Sequence, residues 1–186
     1  MNVIDPIREL KVRAELLQRG VEHLDIAALG RLRTLAELRK KDDAALKDAA
    51  PGIQRKHFLA IVAREAGFAS WEHALRVIEG DADEADFGKL LYGAKAGAFL
   101  HPWFVSYDEA RVAFETNANG EPEGQPQYLL AYARHFFIPG GAFIEALGLD
   151  PEDADWAAIG FDWVRPKSLD ARKRLYGKVL AARRTS

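Results

Sequence analysis

Between Asp5 and Val21 the apolar residues Ile7, Leu10, Ala14, Leu17 and Val21 fall three or four positions apart. That spacing predicts an amphipathic α-helix with one buried stripe, and it constrains the whole first half of the chain to helical packing. Asp5 suits the cap, Pro6 the first helical position, and Gly20 stands near the expected stop. Further on, Leu32, Leu35 and Leu38 sit three apart. Gly30, the Asp42-Asp43 pair and Pro51-Gly52 break this stretch into two or three short helices.

The next two helices meet at a glycine. Phe58, Ile61, Val62 and Ala66 form one apolar stripe, and Gly67 follows where a left-handed residue would end the helix, with Phe68 folding back onto Val62 or Ala63. Ser70 reads as the next N-cap, and Trp71, Ala74, Leu75 and Ile78 as the second stripe, with Trp71 anchored in the core. The outline resembles a DNA-reading helix-turn-helix. Its second helix, however, would expose Glu72, His73, Arg76 and Glu79, and two carboxylates there repel phosphate. A packing corner is the better reading.

The run from Ile61 to Leu75 resembles a short helical module of bacterial proteins, in which Ala-Arg-Glu-x-Gly-Phe-x-Ser-Trp ends one helix and starts the next. That module is found ahead of ankyrin-type repeats or beside glyoxalase-related domains. No ankyrin pattern and no glyoxalase metal pattern follows it in this chain. The resemblance therefore implies a helical corner and supplies no activity.

Charge divides the chain more informatively than its total of −2. Residues 1–80 hold 14 basic and 12 acidic residues, residues 81–165 hold 5 and 15, and residues 166–186 hold 7 and 1. The basic tail could contact nucleic acid, or its charges could be solvated or face the acidic middle of the same chain. The second of these is the default for surface charge. The absence of cysteine excludes thiol catalysis, disulfides and Cys-based zinc sites. The start lacks the apolar core of a signal peptide, and nowhere do about 18 apolar residues run together. A soluble cytoplasmic protein is the expectation.

The second half concentrates aromatics. "FLHPWFVS" reads as a short or edge strand, and "SYDEARVAFE", residues 106–115, as a helix with Ser106 and Glu109 in capping-box spacing. After the loop at residues 117–126, "QYLLAYARHFFIP" reads as one strand, able to pair antiparallel with residues 100–105. "AFIEALGL" is a short helix. "DPEDADWAAIG" is another, with Asp150 as N-cap and Pro151 first. The last helix starts at Ser168 and carries Gly177 in its middle, where the chain bends or packs closely. The fold class is therefore α+β and mainly helical: a helical module over 1–80, then an aromatic part over 81–186 with a small antiparallel sheet and C-terminal helices, the two packed as one unit.

No Gly-x-Ser-x-Gly turn, phosphate loop or helical His-Glu-x-x-His pair is present, and "GAKAG" at 93–97 lacks phosphate-loop spacing. The sequence supports no metal site and no cofactor. Three functional readings follow. The leading one is a non-enzymatic protein that binds a protein or a small molecule, with Trp103, Tyr132, Arg134 and Trp163 as ligand contacts in a pocket for a cationic or apolar molecule. The second is an enzyme in which His101 and His135 lie side by side on paired strands, with Tyr107 nearby, as an acid-base cluster. Against it, a histidine in such a strand ordinarily satisfies one backbone group. The third, disfavoured, is a nucleic-acid binder using Arg55, Lys56, Arg172 and Arg183. A membrane partner is not expected.

Overall fold

A computed structural model describes residues 4–81, 85–92, 98–116 and 125–183. The chain is mainly helical α+β, with one small antiparallel sheet among the described residues. It divides into two units, Ile7–Ala74 and Met1–Pro6 with Leu75–Ser186. No helix among the described residues is long and apolar enough to cross a membrane.

The first unit follows the periodicity closely. Helix α1 (Pro6–Glu22) buries Ala14, Leu17 and Val21 against α2 (Ile26–Arg31), two 3-10 turns, α3 (Asp43–Ala49) and α4 (Arg55–Glu65), and its Leu10 is buried too. Asp25 and Asp42 cap α2 and α3 by accepting from the N–H groups of Ala28 and Ala45 at 2.8 Å. Gly20 lies inside α1 rather than at its end. A Cβ there would stand 2.7 Å from the Cβ of Ala28, so the glycine allows close approach of α2.

The glycine corner also forms. Gly67 adopts φ +92°, its N–H donates to Arg64 O, and Phe68 N–H donates to Ala63 O, each at 2.9 Å. This pair of bonds satisfies the last carbonyls of α4 and turns Phe68 into the core. In α5 (Trp71–Glu79) the buried residues are His73, Ala74, Val77 and Ile78. The expected stripe is thus displaced: Trp71 is half-buried and His73 is buried. His73 has a capping task. Its N–H donates to Ser70 Oγ at 3.1 Å, and its Nδ1 accepts from Ala69 N–H at 3.0 Å. His57 accepts from Gln54 N–H in the same way at the start of α4.

In the second unit, β1 (Trp103–Phe104), β2 (Leu130–Tyr132) and β3 (His135–Phe137) form a sheet in the order β1-β3-β2. Trp103 pairs with Phe137, and Phe104 with Phe136. The single strand expected over 127–139 is instead a hairpin, because the chain reverses at Ala133-Arg134 and Tyr132 pairs with His135. Ala133 takes φ +51°, a conformation usually left to glycine. Two backbone bonds hold it there, from Ala133 N–H to Gly88 O at 2.7 Å and from Phe87 N–H to Ala133 O at 2.9 Å. Ala110 of α6 (Tyr107–Glu115) packs with Leu129, Ala131, Phe136 and Ile138 over one part of the core.

Helices α7 (Gly141–Ala146), α8 (Ala154–Ile159) and α9 (Leu169–Ala182) complete the unit. The N-cap of α8 is Asp153, not Asp150, which instead turns its side chain to the N–H of Glu152. Trp156, Trp163, Tyr176 and Tyr128 are fully buried, with the Trp163 indole N–H on the Tyr176 hydroxyl at 3.1 Å.

The basic character of the C-terminal segment is partly answered within the chain. Arg174 donates through Nε to Asp155 at 3.0 Å, and Lys178 donates to Asp153 and Asp155. Burial alone would raise the Asp155 pKa, but the hydrogen bonds from Arg174 and Lys178 outweigh it and hold the carboxyl below its ordinary value. A folded-state pKa below the unfolded one, about 3.9, gives stabilisation that is complete above that value and fades as pH falls through the folded pKa. Asp155→Asn is therefore expected to lose about 1–2 kcal/mol at neutral pH. Urea melts should show its deficit shrinking below about pH 4.

Candidate functional site

A cavity of about 550 Å³ opens in the second unit. Its apolar wall comes from Val77, Phe87, Val105, Phe136, Val164 and Leu169. The polar groups reaching it are Asp81, Ser106, Tyr107, Arg134, Arg165 and Arg172. Volume and lining suit a small organic ligand, for which apolar walls with a few converging polar groups are the usual arrangement.

Asp162 organises one side. Only 3% exposed, it accepts the Tyr107 hydroxyl at 2.6 Å and Arg111 Nη1 at 3.2 Å on Oδ2, and the N–H groups of Val164 and Arg165 at 2.9 Å on Oδ1. These bonds fix both the ring of Tyr107 and the 164–166 segment that lines the cavity. The Arg165 guanidinium stands 4.0 Å above the Tyr107 ring. Burial, followed by the hydrogen bond to Asp162, pushes the Tyr107 phenol well above its ordinary pKa. Tyr107 is thus a protonated positioning group at neutral pH.

Arg172 is 2% exposed. Its Nη atoms donate to Trp163 O and Val77 O, each at 3.1 Å, and its Nε is buried with no hydrogen-bond partner. No carboxylate among the described residues lies within ion-pair distance of it. A buried guanidinium answered by two carbonyl dipoles and, at 5.8 Å, the face of the Tyr176 ring, with no carboxylate, is costly and marks a position where an anion would be favoured.

The side-by-side pairing of His101 and His135 does not occur. Continuing the β1–β3 register puts His135 beside residue 105, four residues from His101 and about 13 Å along a strand. His101 instead packs edge-on to Phe143 at 4.7 Å and parallel to Phe99, with Nε2 buried and unpartnered. Burial lowers its pKa and keeps the ring neutral. His135 is exposed at the start of β3.

Of the expected ligand contacts, only Arg134 lines the cavity. Trp103 and Tyr132 belong to an aromatic cluster around Tyr92, with ring centroids 5.3 and 5.2 Å from it. Trp163 is a core residue, closed off between Trp156 and Tyr176. The four expected nucleic-acid contacts differ in exposure. Arg172 is buried, and the partly buried Arg183 donates to Leu90 O. Arg172 is too enclosed to reach a phosphate backbone, whereas Arg183 keeps partial exposure. Arg55 pairs with Glu15 at 2.9 Å, and Lys56 is exposed. "GAKAG" at 93–97 lies outside the described residues.

Sequence reasoning assigned Arg172 a different role and overlooked Arg165, Asp162 and Val77. One signal was available: Arg172 shares a face of α9 with Leu175, Tyr176 and Val179, and an arginine on an apolar stripe has to be answered by something. No group of His, Asp or Glu among the described residues is arranged to hold a metal ion. No family model, curated protein or solved structure matches the chain.

Proposed function

We propose that this protein binds a small organic molecule in the cavity of its second unit. The observation that carries the reading is the combination of about 550 Å³ of space, apolar walls and three arginine side chains converging on it. The bonds around Asp162 add support, because a preorganised wall lowers the ordering cost of binding. An acid-base enzyme gains less support, since the two histidines are apart on the sheet and Tyr107 stays protonated.

The test is methyl NMR of the whole chain against a library of small organic fragments. Binders are expected to shift the methyl signals of Val77, Val105, Val164 and Leu169 together, and Val164→Trp, which fills the space, is expected to abolish those shifts. A library that moves no cavity methyl, or moves them equally in the filled variant, would overturn the reading.

A further inference from the structure

Resting on the reading of the cavity as a ligand site, we infer that its ligand is an amphiphilic organic anion: one carboxylate on an apolar body, with the carboxylate drawn toward Arg172. The first argument is charge. Among the described residues three guanidiniums line the cavity, those of Arg134, Arg165 and Arg172, against one carboxylate, Asp81. Arg134 and Arg165 are exposed and screened by water, and Arg165 also faces Asp108 at 4.0 Å. They would steer an anion more than hold it. Arg172 differs because it is enclosed.

The second argument concerns what Arg172 lacks. A guanidinium offers five N–H donors, and the bonds to Trp163 O and Val77 O engage only its two Nη atoms, leaving Nε–H unanswered. Taking that charge out of water costs several kcal/mol unless a counter-charge is supplied, and no carboxylate of the described residues stands within ion-pair distance of it. An anion in the adjacent cavity does so, and because Arg172 itself is enclosed its attraction is less screened than that of the exposed Arg134 and Arg165. Charge-assisted bonds to a carboxylate are the ones this planar fork makes best.

The third argument limits the rest of the ligand. Val77, Phe87, Val105, Phe136, Val164 and Leu169 offer no hydrogen-bonding side chains, so a ligand polar throughout would lose its water without replacement. An apolar body is the complement, and one charged end satisfies Arg172. A cationic ligand, which the aromatic and acidic composition of this half had suggested, would meet three like charges.

Octanoate, 1-octanol and octylamine are the probes, titrated into the whole chain while the cavity methyls are followed by NMR. Octanoate is expected to bind at least about tenfold more tightly than octanol, and octylamine most weakly. Arg172→Met is expected to weaken octanoate by about tenfold or more and leave octanol within about twofold, while Arg172→Lys, which keeps the charge, retains more of the octanoate affinity than Met does. If the Met variant does not fold, the Lys variant and the three-probe comparison decide the matter. Equal binding of octanoate and octanol, tighter binding of octylamine, or an Arg172→Lys loss with octanol affected equally would overturn the inference. If octanoate fails while neutral fragments still shift the cavity methyls, the anion assignment falls and the ligand site stands. If nothing shifts them, both fall.

Discussion

Asp162→Ala is expected to destabilise the second unit by about 3–5 kcal/mol, the largest effect of any single change around the cavity. The carboxylate is buried and accepts from four donors: the Tyr107 hydroxyl, Arg111 Nη1 and the N–H groups of Val164 and Arg165. Alanine leaves a phenol, a guanidinium N–H and two backbone donors without their shared, buried acceptor. Each orphaned donor costs about 1–3 kcal/mol, partly recovered as Arg111 keeps its bond to Glu115. Tyr107→Phe, which removes one donor and leaves the acceptor served, should cost only about 1 kcal/mol. Denaturant melts give both values, and a difference between the variants below about 1 kcal/mol would refute this account of the wall.

Gly177→Ala is expected to destabilise by about 1–3 kcal/mol although it replaces a helix-weakening residue. On propensity alone, alanine in the interior of α9 should gain about 1 kcal/mol. The added Cβ, however, would stand 2.2 Å from the carbonyl oxygen of Ile4 and 3.1 Å from its carbonyl carbon. Both are backbone atoms, so no side-chain rotation relieves the overlap, and the segment at Ile4 has to leave α9. Steric cost therefore exceeds propensity. The sign should reverse in a chain lacking residues 1–4, where the same substitution is expected to stabilise by up to about 1 kcal/mol. Thermal melts of the four proteins make a double-mutant cycle; a destabilisation that persists without residues 1–4 would show that some other contact is responsible.

Gly177 also shows where sequence reading loses resolution. A glycine inside a helical pattern announces that something is unusual, and close packing was one of two meanings available for it. Gly20 was read as a stop and is a contact with Ala28. Helix stops are encoded locally, whereas close approach depends on a neighbour the pattern does not name. The hairpin at Ala133-Arg134 was illegible for a related reason. Its turn carries neither glycine, proline nor asparagine, and Ala133 is held at positive φ by the backbone at Phe87 and Gly88, more than forty residues earlier. Once that turn was missed, the facing of His101 and His135 was misplaced with it.

The cavity was partly visible before the fold. Tyr107 and Arg134 were singled out and both line it, whereas Trp103, Tyr132 and Trp163 were chosen for aromatic character and lie elsewhere. Aromatic side chains fill cores as readily as they line pockets, so residue type alone could not separate Trp163 from Phe136.

By itself the sequence determined the helices of the first unit, the glycine corner at Gly67 and the mainly helical α+β class. Those follow from apolar period and capping chemistry, which act within a few residues. Tertiary structure alone decided that Arg172 is enclosed, that Asp162 gathers Tyr107 with the 164–166 segment, and that Arg174 and Lys178 meet the acidic residues of α8. Burial and charge pairing depend on residues brought together from distant parts of the chain. Their consequences for binding appear only when the chain is folded.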